Sequence, residues 1–146
     1  PCAIGEDVLK HGGAVYNHAL YFPSLAPARS TKPDAALAAA IARCFGSMED
    51  FLRGLRKISL SNRREGYAWL LSDKCGKLRL LLTPGQSTAL PLAPIFCLDL
   101  YRHAYYLTYG DDRPAYVEAV LPLMNWDTLS RRYAAVFAGQ PPFPNP

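Results

Sequence analysis

Two apolar runs of equal length, YAWLLSD and KLRLLLT, flank Lys74-Cys75-Gly76, and nothing else in the chain restricts its fold as strongly. Short runs rich in aromatic and aliphatic residues, joined through a glycine-bearing turn, form an antiparallel hairpin. A third strand candidate, IFCLDL, follows the Pro-punctuated loop PGQSTALPLAP. Three strands of this kind call for one small antiparallel sheet.

Helical periodicity surrounds that sheet on both sides. Residues 6–25 read as a helix broken or started near Gly12-Gly13, with Val15, His18, Ala19 and Phe22 sharing one face and Pro23 closing it or starting its final turn. After the polar loop APARSTKP, Asp34 caps a second helix with the stripe Leu37, Ile41, Cys44 and Phe45, ended at Gly46. Ser47 opens a third, with Asp50 three residues on in the manner of a capping box, and Met48, Phe51, Leu52, Leu55 and Ile58 facing inward. LSNRREG is a hydrophilic loop before the strands. Beyond them, His103 to Tyr109 form a short helix or turn. Pro114 begins a helix with Val117, Val120 and Leu121 on its apolar face, and Asp127 caps a last one through Leu129, Tyr133, Val136 and Phe137. GQPPFPNP is a Pro-rich tail. Helices, a small antiparallel sheet, then helices make this an α+β chain.

Length and composition narrow the class further. With 146 residues, half of them apolar and 19% charged, the chain supports one sizeable core and is not disordered. No apolar run is long enough to span a bilayer as a helix, so no membrane partner is expected. The net charge of +4 permits contact with RNA or anionic surfaces without requiring it. Cys2, Cys44, Cys75 and Cys97 are widely spaced and read as reduced thiols. The first residue is Pro1, which reads as a processed chain or part of a longer product.

One stretch carries chemistry. In LDLYRHAYYLTY, Asp99 closes a strand and His103 follows one turn later, so a carboxylate and an imidazole can point at one spot. That O/N pair suits iron, manganese or zinc. The segments VYNHALYF, FGSMEDF, GYAWLLSDKCGKLRLLLTPGQ, LDLYRHAYYLTYGDDRPAY and NWDTLSRRY, in this order, resemble the iron/manganese superoxide dismutase family. The likeness runs from Val8 to Phe137, and H-A-Y-Y-L followed by R-P-x-Y and N-W is its most specific part.

The resemblance implies an α+β C-terminal domain with a three-stranded antiparallel sheet inside a helical shell. It divides the chain into residues 1–25, a remnant of the N-terminal helical region carrying His18; residues 26–138, the α+β domain; and the tail at 139–146. It implies that His18, Asp99 and His103 are metal ligands, that Trp69 helps wall the site, and that Gln86 takes the solvent-binding position of manganese-type members. Ala14 stands where iron-type members carry their own glutamine.

The same resemblance exposes departures. The family's N-terminal helical hairpin, with an axial histidine and a gating tyrosine, has no counterpart, and His11 aligns with a non-ligand position. Arg102 stands in place of a glutamate that reaches a partner subunit's ligand histidine. A guanidinium offers no acceptor to an imidazole. Tyr16, Phe22, Tyr67 and Tyr101 stand where tryptophan is usual, and a buried hydroxyl needs a partner. From these departures we expect a non-catalytic structural component with the family fold, set in the small subunit of the mitochondrial ribosome. Its remnant metal site would be empty, with no cofactor. Its partners would be ribosomal proteins and rRNA, with Arg102 at the interface of a heterodimer with a superoxide-dismutase-like paralogue. Arg53, Arg56, Lys57, Arg63 and Arg64 would touch phosphates or acidic surfaces, or form a solvated basic face. The alternative is an iron- or manganese-dependent superoxide dismutase whose hairpin is missing from this chain; a third reading is a zinc module.

Overall fold

The computed structural model describes residues 3–62 and 64–138. Three strands, β1 (Gly66–Ser72), β2 (Leu78–Pro84) and β3 (Ala93–Asp99), form one antiparallel sheet in the order β2-β1-β3. The expected α+β architecture is therefore the observed one, with strand limits moved by one or two residues. Every residue of β1 is buried, whereas exposed positions interrupt β2. A central strand covered on both faces needs the unbroken apolar run YAWLL; an edge strand can interleave Arg79 with its leucines. Pro94 cannot donate to a ladder. It lies on the edge strand β3, beside the register shift between Leu70 and Leu71. The hairpin turn closes on Gly76 at φ 73°, a conformation side chains rarely adopt.

Helix α1, Ala3–Tyr21, continues into a 3-10 turn at Phe22–Ser24. It is not broken at Gly12-Gly13. Gly13 packs so closely on the next layer that an added Cβ would strike the carbonyl oxygen of Gln86. The face shared by Val15, Ala19 and Phe22 turns outward, with Val15 71% and Phe22 65% exposed. The packing face is instead Gly13, Asn17, Leu20 and Tyr21. Leu20 and Tyr21 belong to the same buried cluster as the sheet.

Helices α2 (Ala35–Phe45) and α3 (Met48–Leu60) start as their caps require. Asp34 Oδ1 accepts from Leu37 N at 2.8 Å, and Ser47 Oγ accepts from Asp50 N at 3.0 Å. A 3-10 turn at Arg102–Ala104 and the single-turn helix α4 (Tyr106–Tyr109) then lead to α5 (Arg113–Val120), capped by Asp112. Helix α6, Trp126–Phe137, corrects one expectation: its cap is Asn125, whose Oδ1 accepts from Thr128 N at 3.2 Å. Asp127 falls inside the first turn, where its charge suits the helix N-terminus without capping it.

A buried cation locks these layers. Arg132 of α6 donates to Ser24 Oγ at 2.7 Å, Leu20 O at 3.0 Å and Ile95 O at 3.1 Å. It thereby joins the end of α1 to β3. Its pKa is pushed below the usual arginine range by burial. The tail at 139–146 lies outside the described residues, and among the described residues no helix is long and apolar enough to cross a membrane.

The two adjacent glycines give a paired test. Gly13→Ala must displace the Gln86 backbone and is expected to lower the unfolding free energy by about 1–3 kcal/mol. Gly12→Ala meets nothing within 4 Å and is expected to raise it by about 0.5–1 kcal/mol. Chemical denaturation of both variants measures the difference.

Candidate metal centre

Three elements bring three donors together. His18 stands on the last turn of α1, Asp99 is the final residue of β3, and His103 sits on the 3-10 turn that follows. The Nε2 atoms of His18 and His103 are each 3.2 Å from Asp99 Oδ2. One donor atom from each residue lies within 4.8 Å of the others. The carboxylate side chain is 2% exposed, while the imidazoles are 30% and 55% exposed. The cluster is therefore anchored inside and open on its histidine side. Asp99 Oδ1 is already committed, accepting from Tyr101 N at 2.8 Å. That local turn aims Oδ2 at both rings.

These residues fit a metal ion. The donor set is two imidazole nitrogens and one carboxylate oxygen, the mixture that iron, manganese and zinc accept. Donor spacings of 3.2 Å fall under twice a bond length of about 2.0–2.2 Å. Among the described residues no other group of three such side chains converges. His11 is exposed and is not among these three.

Around the donors runs an aromatic wall. His18 stacks on Phe22 at 5.8 Å and His103 on Tyr101 at 5.2 Å. Tyr67 packs edge-on to His18, and its hydroxyl lies 3.5 Å from His18 Nε2. That hydroxyl donates to Gln86 Oε1 at 3.1 Å, so the partner required by a buried phenol is present. Burial, reinforced by the Asp99 carboxylate, pushes the Tyr67 phenol well above its usual range, and the proton stays on it. Gln86 is held a second time, its carbonyl accepting from Asn17 Nδ2 at 3.3 Å. Trp69 lies one layer behind, against Tyr67 at 5.8 Å, with Nε1 donating to Thr83 Oγ1 at 2.9 Å. Asn17 was missed by sequence reasoning as a site residue. Its signal was a polar residue on the stripe of Gly13, Leu20 and Tyr21, which is the packing side of the helix.

The residues expected at interfaces are placed less uniformly. Arg102 is exposed and turns to Asp111 Oδ1 at 2.9 Å, with its guanidinium 4.5 Å from the Tyr106 ring centre. Its backbone N–H donates to Glu65 Oε1 at 3.3 Å. Arg53 pairs with Glu49 and Asp50, and Arg56 pairs with Glu118. Lys57 and Arg64 are exposed, and Arg63 lies outside the described residues. The basic stretch is thus partly neutralised within the chain.

Residues 33–132 match the family described as iron/manganese superoxide dismutases, C-terminal domain. The chain belongs to the iron/manganese superoxide dismutase family. It is 34% identical over 130 residues to an Escherichia coli (strain K12) protein named superoxide dismutase [Fe], covering 88% of this chain and 67% of the relative. It is 36% identical over 127 residues to a Drosophila melanogaster protein named superoxide dismutase [Mn], mitochondrial, covering 84% of this chain and 58% of the relative. Asp99 and His103 fall inside the family match; His18 precedes it. The α1 contact with β3 is what delivers that third donor to the domain.

Asp99→Ala removes the atom on which both histidines converge. Outer partners of a metal are worth about 10–100-fold in affinity, and loss of a direct donor is expected to exceed that. Equilibrium manganese(II) binding to the wild type and to this variant checks it.

Proposed function

We propose that this protein dismutes superoxide at an iron or manganese ion held by His18, Asp99 and His103. The observation that carries the reading is the convergence of both Nε2 atoms on one buried carboxylate oxygen. Two family relatives at 34% and 36% identity are named superoxide dismutases, one with iron and one with manganese. They favour the enzymatic alternative over the structural ribosomal role expected from the departures. One of those departures, Arg102, also loses force: its charge has an acceptor in Asp111 of the same chain. The Drosophila relative is named as mitochondrial, and a mitochondrial setting is part of the proposal.

An iron or manganese ion held by His18, Asp99 and His103 would supply a one-electron couple, by which one superoxide is oxidised to dioxygen and a second, with two protons, is reduced to hydrogen peroxide. The chain's own residues prepare that exchange. Asp99 places a negative charge among the donors and orients both imidazoles. Tyr67 occupies Gln86 Oε1 and so leaves the amide N–H groups as the side that can donate. The Tyr67 hydroxyl oxygen lies 3.5 Å from His18 Nε2, with its proton directed to Gln86 Oε1. Phe22, Tyr67 and Tyr101 pack against the imidazole rings and leave their outer edges open to solvent. The net charge of +4 favours approach of an anionic substrate.

Metal analysis and superoxide turnover test the reading together. The expected result is iron or manganese near one ion per chain, with turnover that Asp99→Ala abolishes. Zinc at that stoichiometry without turnover would point to the zinc module. A metal-free chain isolated with RNA and many proteins would restore the ribosomal role.

A further inference from the structure

We propose that Tyr21 and Tyr116 are positioning residues for the metal centre, forming a strut of two phenols between the helix end that bears His18 and the strand end that bears Asp99. The proposal rests on the reading that His18, Asp99 and His103 hold a metal, and it adds residues outside the donor set.

The strut starts at the backbone of a ligand. Tyr116 OH donates to the carbonyl oxygen of Asp99 at 2.8 Å. A carbonyl only accepts, so the single Tyr116 proton is committed there. The 3.0 Å contact between the Tyr21 and Tyr116 oxygens must then have Tyr21 as donor. Donation runs one way, from Tyr21 to Tyr116 to Asp99. Tyr21 lies three residues beyond His18, which is about 4.5 Å along the helix axis. Each end of the strut is therefore within one helical turn of a donor or on the donor residue itself.

The strut is also rigid. Tyr21 and Tyr116 are 7% and 4% exposed. The Tyr116 ring stacks on Tyr105, with centroids 5.0 Å apart and planes at 23°. One turn earlier on α5, Arg113 donates to the next carbonyl, Leu100 O, at 3.0 Å. Helix α5 thus grips two consecutive carbonyls just where the chain leaves the sheet. Loss of the Tyr116 hydroxyl would leave the Asp99 carbonyl and the Tyr21 hydroxyl without their partner in a buried place. The end of β3 would then be free to slide against α1. Metal sites tolerate donor displacements of only about 0.2 Å, so a small slide weakens binding.

The test uses manganese(II) as the probe on wild type, Tyr116→Phe, Tyr21→Phe and the double variant. Affinity comes from chelator competition, the geometry of bound manganese from its electron paramagnetic resonance spectrum, and fold stability from the metal-free melting temperature. Tyr116→Phe is expected to bind about tenfold more weakly, with an altered spectrum. Tyr21→Phe should show a smaller loss, and the double variant no more than Tyr116→Phe alone, because the hydroxyls act in series. A lowered melting temperature with affinity and spectrum unchanged overturns the proposal, since a merely structural tyrosine would behave so. Should Tyr116→Phe fail to fold, Tyr21→Phe decides, because it leaves the bond to Asp99 in place; unchanged affinity there overturns the strut. A wild type that takes no manganese(II) removes the metal reading and the strut with it, so the two failures are told apart.

Discussion

The structure turns on one carboxylate. Asp99 is buried at the end of β3, and a buried unpaired charge costs several kcal/mol. Its neighbours answer that cost from three directions: Tyr101 N on one oxygen, His18 and His103 on the other. None of these partners lies within its own strand. The helix α1 must arrive over the sheet, and the chain must turn back at once after Leu100. A metal ion would meet the same requirement more fully, because it would replace two imidazole contacts with a shared positive centre.

The remaining architecture serves that meeting. β1 is buried along its whole length and pairs on both sides, so it fixes the sheet as a rigid plane. Two arginines then act as internal fasteners. Arg132 ties α6 to α1 and β3, while Arg113 gathers the carbonyls of Asn62, Arg64 and Leu100. A planar guanidinium with five donors can satisfy several carbonyls that end their elements in different directions; an ammonium could not do so with one geometry. Part of the basic excess is therefore used inside the fold, and net charge overstates how much is available to a partner.

Much of this was legible in the sequence, and the limits have physical causes. Strands and the capped helices α2 and α3 could be read from local chemistry, and Asp99 and His103 from their spacing; His18 joined them only through the family resemblance, because it lies 81 residues before Asp99. The orientation of α1 was not legible. Its two faces are both apolar in composition, Val15 and Phe22 on one side and Leu20 and Tyr21 on the other, so periodicity alone does not say which one packs. Gly13 looked like a breaker but is a point of close approach to Gln86, which only the tertiary contact reveals. Asn125 displaced Asp127 as the cap of α6 because its side chain serves two places at once, Thr128 N and Pro23 O. Arg113 and Arg132 gave no local sign of burial, since their acceptors lie far away in sequence.

Tyr67 and Arg102, two departures from the family pattern, each find partners within this chain. The family resemblance puts Tyr67 where tryptophan is usual, and both side chains carry one donor at the edge of an aromatic plane. The hydroxyl donates to Gln86 Oε1 and so fixes the amide orientation in this chain. A phenylalanine there would keep the bulk and lose that bond. Arg102 is a harsher change, from acid to base, and it follows a different logic. Its side chain leaves the donors for Asp111 and the face of Tyr106, and only its backbone N–H meets an acid, Glu65. Such an exposed pair adds little stability, but it gives the guanidinium a resting place away from the imidazoles. The substitution therefore alters what the surface beside His103 offers to a neighbour, while the inner geometry stays set by Asp99.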